Sequence, residues 1–228
     1  MKSRDIKFFV IIKQKSERLK NKNFIIINKL PLYKYLLYEL KGEKVYIDTD
    51  SLKIINEQKK DKILSQFIIY KRNSKFVKLE NSKKFKISPV YLLIANFLEK
   101  FCNNNDIIVC SHVTSPFIKK KTIYDAIKYL DKGYESVSAA TYHNEFALIK
   151  KKNKYTTVNF DLNKVNKTQD LEPIILLNGA FFIFRKKTFM KYKSRYGKKH
   201  FFYKLNYPES IDINYNEDLK IAKFYAEK

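Results

Sequence analysis

The sequence predicts an α/β fold: three layers, with a mainly parallel sheet and helices on both of its faces. Short apolar runs bounded by polar turns recur along the chain, the pattern of strands buried on both sides. Stretches with helical spacing lie between them, and such alternation is what crossover connections between parallel strands require. The length of 228 residues, 45% of them hydrophobic and 15% aromatic, suits one domain over 1–228 with a substantial core and argues against disorder.

Each element has its own justification. "IKFFVII" from Ile6 is a first strand, apolar at nearly every position. After a basic loop, "LPLYKYLLYEL" opens a helix, with Pro31 at its start, where a missing N–H costs nothing. "KVYID" is a second strand that ends at residues 48–51, and "QFIIY" is a third. "SPVYLLIANFLEKF" is a helix capped by Ser88 with Pro89 in its first turn. "DIIVCS" is a fourth strand, and "KKTIYDAIKYLDKG" is a helix closed by Gly133. "ESVSAAT" and "GAFFIF" are further strands, and "NEDLKIAKFYAEK" is a last helix. Between the last two strands, residues 142–177 are mixed and polar, and "KKKNKY" within them is an exposed turn or arm.

Composition narrows the function. The net charge is +24, with 47 Lys and Arg against 23 Asp and Glu. A nucleic-acid footprint needs a localised basic patch, whereas this excess runs from end to end. What survives is a preference for small anionic substrates. The longest apolar stretch, "PVYLLIANFL", is half of the ~20 residues a membrane-spanning helix needs. No signal-peptide pattern is visible at the N-terminus. Cys102 and Cys110 make neither a disulfide framework nor a metal spacing. The expectation is a cytoplasmic, reduced protein with no membrane partner and no specific nucleic acid.

Ligands of parallel sheets bind at the carboxyl ends of the strands. The loop after the first strand, "KQKSERLKNKNF", therefore matters most. It is neither a Walker loop nor a Rossmann fingerprint, because it has no glycine. It offers long cations instead: Arg18, which can fork onto two phosphate oxygens, and Lys13 and Lys22, which act as mobile point charges. His143 and His200 have no partners at metal or triad spacing, and the Phe181–Phe182 pair reads as core.

This loop, followed by "INKLPLYKYLL", resembles the opening of the cytidylyltransferases that activate acidic keto-sugars, the acylneuraminate family and its ketodeoxyoctonate, legionaminate and pseudaminate relatives. Ser16, Arg18, Leu19, Lys22 and Asn23 match that motif, although the family's glycines are absent. "YIDTDS", "SHVTSPF", "KTQDLEPIILLNGAFFIF" and "ESIDINYNEDLKIA" resemble four further segments of the same family, in the same order. The resemblance implies a nucleotide-diphospho-sugar transferase, Rossmann-like fold and transfer of CMP from CTP to an acidic 2-keto sugar, with release of pyrophosphate. It implies Arg18, Lys22 and Lys13 as catalytic cations, and Ser16, Asn23, Asp50 and Ser115 as nucleotide-binding residues. His112 (where many members have Gln), Lys167, Gln169 and Asn178 would bind the sugar. Mg²⁺ would be held by Asp212 and Asn214, the latter standing where relatives carry a second carboxylate. Residues 142–177 would be a dimerisation arm of a homodimer. Three alternatives stay open: a metal-dependent glycosyltransferase using Asp48-Thr49-Asp50, a non-enzymatic basic binding module, and a nucleotide-binding relative without turnover.

Overall fold

The computed structural model describes residues 5–80, 82, 89–165 and 167–227. Among these residues eleven strands form in chain order: β1 (Ile6–Ile12), β2 (Ile26–Ile27), β3 (Leu30–Pro31), β4 (Val45–Thr49), β5 (Ile68–Lys71), β6 (Ile107–Ser111), β7 (Ser136–His143), β8 (Leu148–Lys151), β9 (Lys154–Thr157), β10 (Ile174–Arg185) and β11 (His200–Lys204). The α-helices are α1 (Leu32–Glu39), α2 (Leu52–Glu57), α3 (Ser74–Glu80), α4 (Val90–Phe101), α5 (Lys120–Ile127), α6 (Lys186–Tyr192) and α7 (Asn216–Ala226).

One seven-stranded sheet has the order β11-β7-β10-β6-β1-β4-β5. β10 runs antiparallel to both of its neighbours, and every other neighbouring pair is parallel. From β1 the chain winds outward to β4 and β5, then returns to lay β6 on the other side of β1. That reversal opens a crevice beyond the carboxyl ends of β1 and β6, where ligands of such sheets bind.

Period-two alternation in β1 explains the layers. Phe8, Val10 and Ile12 face α1, α2 and α5 through Tyr33, Leu36, Ile54 and Ile123. Phe9 faces the opposite way, stacking on Phe97 of α4 with ring centroids 4.3 Å apart. Each fully buried side chain of this size stabilises the fold by about 1.5–3 kcal/mol. A smaller cluster seats α7 on Ile27, Leu32, Ile211 and Ile213. The expected three layers are thus in place, with Cys102 and Cys110 buried as free thiols. Among the described residues no helix is long and apolar enough to cross a membrane.

Several details differ from the expectation. Pro31 is the N-cap of α1 and not its first turn, and Pro89 likewise caps α4; Ser88, the expected cap, lies outside the described residues. α5 ends early and passes through a short 3₁₀ turn before Gly133, whose φ of 84° makes the closing turn. β10 starts at Ile174, five residues before the expected strand. Its first residues pair with His143 to Ala140, so the sheet reaches into the 142–177 segment. A register shift between Leu177 and Phe182 lifts Asn178 and Gly179 out of the ladder, as bulges do when they re-aim a side chain. β8 and β9 form an exposed hairpin, as the "KKKNKY" run suggested. α2, α3, α6 and β11 lacked a strong enough period to be read from the sequence.

Candidate functional site

A cleft of about 1330 Å³ opens beyond β1, β4 and β6. One drug-sized ligand fills a pocket of ~300–1,000 Å³, so this cleft has room for two reactants. Of the residues expected at a site, Lys13, Ser16, Arg18, Lys22, Asn23, Asp50, His112, Asn178, Asp212 and Asn214 all line it.

The basic loop is fastened at several points. Asn23, itself buried, donates from its side-chain amide to the Lys13 carbonyl at 2.9 Å. The Gln14 N–H donates to Asp50 Oδ1 at 2.7 Å, so Asp50 holds the loop's shoulder. Lys22 is buried in the following 3₁₀ turn and donates from Nζ to the Ile213 carbonyl at 2.6 Å and to Asn214 Oδ1 at 3.3 Å. Burial holds the Lys22 pKa below the usual lysine value, against the pull of nearby Asp212. The turn that a glycine makes in other phosphate loops is made here by Asn21, at φ 53°; asparagine tolerates that left-handed region better than other side chains. Lys13, Lys15 and Arg18 stay exposed to the cleft, and Arg18 has its guanidinium carbon 5.6 Å from the Tyr215 ring centre. The loop is thus anchored at its two ends while Lys13, Lys15 and Arg18 face open space; Lys22, expected as a mobile point charge, is instead buried and fixed.

Opposite stands the segment 211–214. Ile211 and Ile213 are buried, so Asp212 and Asn214 point together toward the cleft. Asn214 Nδ2 donates to Asp212 Oδ2 at 2.9 Å, and the Thr114 hydroxyl donates to Asp212 Oδ1 at 2.5 Å. Asp218 accepts from the backbone N–H groups of Asn214 and Tyr215, which fixes this corner to the start of α7.

His112 lies where β6 ends. Burial, with the Arg195 guanidinium next in weight, pushes its imidazole down to about 4, so the ring is neutral near pH 7. A neutral ring offers one donor and one acceptor. Gly179 lets His112 and Asp212 close in: a Cβ there would sit 3.1 Å from His112 Nδ1 and 3.3 Å from Asp212 Oδ2. Asn178 uses its amide inside the protein, donating to the Ser210 carbonyl at 2.7 Å and accepting from the Ala180 N–H at 2.9 Å. It fixes the bulge and the 210–214 segment beside it.

Three expected residues do not line the cleft. Ser115 is fully buried in the turn after β6, and its hydroxyl has no hydrogen-bond partner. Lys167 and Gln169 sit at an exposed 3₁₀ turn within the 142–177 segment. Asp48 has a partner of another kind: it is buried in an ion pair with Arg72, which also reaches Glu80 at 2.5 Å. Glu80 in turn pairs with Lys13 at 3.0 Å. With Asp48 committed to Arg72, the Asp48-Thr49-Asp50 motif does not present two free carboxylates to a metal.

Sequence reading missed Arg72, Thr114 and Arg195. Arg195 lines the cleft, with its guanidinium carbon 3.7 Å from the centre of the Phe182 ring and 5.5 Å from that of Tyr91. Phe182, read as core, is therefore also a wall of the site. A usable signal was present. Only five arginines stand among 47 basic residues, and three of them, Arg18, Arg72 and Arg195, line this one cleft.

Known proteins give a consistent picture. A family model described as "Cytidylyltransferase" matches residues 10–228. The chain is 26% identical over 132 residues to N-acylneuraminate cytidylyltransferases of Streptococcus agalactiae serotypes V and III. The match takes in 56% of this chain and 32% of each relative, so the chain spans about a third of the length of the curated relatives it matches. Among solved structures it is similar to 4-diphosphocytidyl-2C-methyl-D-erythritol synthase from Anaerococcus prevotii, at 12% identity and a TM-score of 0.66 over 99% of both chains. A CMP:2-keto-3-deoxy-manno-octonic acid synthetase complexed with CTP matches at 9% identity and a TM-score of 0.64, over 98% of this chain and 99% of the other. At such identities these structures speak for the fold alone. With the family match running from residue 10 to residue 228, the chain belongs to the cytidylyltransferase family.

Proposed function

We propose that this protein transfers CMP from CTP to the anomeric hydroxyl of an acidic 2-keto sugar, of the sialic-acid type, and releases pyrophosphate. The observation that carries the reading is the convergence of an anchored cationic loop and the Asp212–Asn214 corner on one two-reactant cleft at the sheet's switch point. In-line attack at the α-phosphorus builds charge on the equatorial and leaving oxygens. Positioned cations stabilise that charge more than they stabilise the ground state. Arg18 grips the triphosphate in a fork, Lys13 and Lys22 add point charges, and Ser16 offers a hydroxyl to the nucleotide. His112, neutral near pH 7, exchanges hydrogen bonds with the sugar.

A divalent ion fits this corner in one way. Asp212 supplies a carboxylate and Asn214 a neutral carbonyl oxygen, and among the described residues no group of three His, Cys, Asp or Glu stands together. Mg²⁺ commonly binds through one or two carboxylates with substrate phosphates and water completing the shell. Asp212 and Asn214 would hold it together with the triphosphate, and the ion would supply charge neutralisation there.

The 142–177 segment supports a homodimer. Phe146, Leu148, Ile149, Tyr155, Leu162 and Val165 are all more than 40% exposed there. Such clustering of exposed apolar side chains marks an interaction surface. A second copy of the chain is the occupant assigned to it, with Lys167 and Gln169 carried toward the partner's cleft.

The test is pyrophosphate release from CTP and Mg²⁺ with N-acetylneuraminic acid or 2-keto-3-deoxy-octonic acid as acceptor. Release that needs both CTP and an acid supports the reading. Release with neither acid, or consumption of a ready-made nucleotide sugar instead, would falsify it.

A further inference from the structure

The cleft holds two arginines that no carboxylate of the described protein neutralises, and one of them has no role in the reading above. Arg72 is paired with Asp48 and Glu80, and Arg185 approaches Asp131 at 3.6 Å. Arg18 serves the triphosphate. Arg195 remains. It comes from the segment between α6 and β11, on a different element from every phosphate-side cation. Its guanidinium carbon lies 3.7 Å from the Phe182 ring centre, and its Nε is buried with no hydrogen-bond partner. The adjacent Tyr196 phenol, which burial holds above its usual pKa, brings it no negative charge near pH 7. Stacking on an aromatic face strips water from a guanidinium while leaving its charge in place. A cation desolvated in this way, with a donor unmet, is costly until an anion completes it.

We propose that Arg195 is the anion anchor of the acceptor half of the cleft, where its guanidinium binds the carboxylate of the acidic sugar. This rests on the acceptor reading above. Three observations support it together: Arg195 lines the same cleft as Arg18 and Lys22, it has no acidic partner among the described residues, and its guanidinium stacks on Phe182 with Tyr91 nearby. His112 lines the same cleft and lies within reach of the charges of Arg195, Lys22 and Lys13. A sugar hydrogen-bonded to His112 thus has its carboxylate toward Arg195 and its anomeric hydroxyl toward the phosphates. A planar carboxylate matches the guanidinium fork, which a lysine at this position would not offer.

The test compares each acid with its methyl ester in the pyrophosphate assay. The wild-type protein is expected to favour the acid at least about tenfold in kcat/KM. Arg195→Gln should raise the KM for the acid by about 10- to 100-fold, the size expected for a lost charge-assisted pair. Its KM for CTP and its rate with the ester should stay as they were, so that the discrimination collapses. Arg195→Lys should recover part of it, and carries the test by itself should the glutamine variant fail to fold. A loss shared equally by acid and ester, or a rise in the KM for CTP, overturns the assignment. A wild-type protein that turns over neither acid overturns the acceptor reading first, and Arg195 with it.

Discussion

Two lysine-rich stretches, 13–24 and 148–157, look alike in composition and behave differently in the fold. The first is tied down by Asn23, by the Gln14–Asp50 bond and by Lys22 reaching across to Ile213. The second is a hairpin whose strands β8 and β9 are exposed along nearly their whole length. Its lysines point into solvent, with Lys150 resting over Tyr155 of its own hairpin. Charge alone therefore does not distinguish a site from a surface; buried anchors on either side of the charge do. A cation whose position is fixed before the ligand arrives loses little entropy on binding, and its field acts where charge develops.

The sharpest way to break this contrast is to remove one cation from each stretch. Arg18→Ala should lower kcat/KM for CTP by about 10²–10³-fold, as losses of preorganised charge do. Its melting temperature should hold, because Arg18 is exposed. Lys150→Ala together with Lys154→Ala should leave the pyrophosphate-release rate unchanged. Equal effects on the two sides would erase the distinction.

If the business of the 142–177 arm is a partner copy and not phosphate, its apolar residues should matter where the hairpin's lysines do not. Leu148 is 54% and Leu162 70% exposed. Leu148→Asp with Leu162→Asp should shift the protein from dimer to monomer in sedimentation velocity. An unchanged sedimentation coefficient would remove the arm from the interface.

How much of this was legible in the sequence follows the same contrast. The strands β1, β4 and β6 were legible because both of their faces are buried and the runs are continuously apolar. The cleft's left wall was legible because one contiguous loop carries it. Its right wall was not: Arg195 and Phe182 come from an irregular segment and from a strand whose alternating residues face both layers. The bulge at Asn178 and Gly179 was also hidden, since a register shift depends on pairing and not on local composition. Asn178 read as a ligand donor because only its type and place were visible, and not the Ser210 carbonyl that occupies it.

Anchoring also makes a group sensitive to pH. His200 is held between the Ser136 and Ser138 hydroxyls at 2.6 and 2.8 Å, and burial pushes its imidazole down to about 4. The folded state resists protonating this ring while the unfolded chain, near 6.5, accepts the proton. Stability is therefore full above about pH 6.5 and falls as the pH drops toward 4. At pH 5 the loss from this group should be about 1–2 kcal/mol. Urea midpoints at pH 7 and pH 5 should differ less in His200→Gln than in the wild type; identical differences would contradict the assignment.

The smallest effect concerns the hairpin joining β2 and β3, just beyond the anchored loop. Asn28 and Lys29 both have positive φ, 41° and 68°, as a two-residue turn of the mirrored kind requires. Asparagine suits that region and lysine does not. Lys29→Gly should stabilise the protein by about 1 kcal/mol, seen as a rise of about 2–4 °C in Tm. A fall in Tm would mean that the Lys29 side chain contributes more than its backbone costs.

Hydrogen exchange of the backbone amides with and without CTP and Mg²⁺ addresses the anchored loop most directly. Slower exchange is expected in residues 13–24 and 212–215, with residues 148–157 unchanged apart from any concentration dependence. Protection confined to the hairpin, or no protection in 13–24 at saturating CTP, would contradict the claim that this glycine-free loop grips the triphosphate.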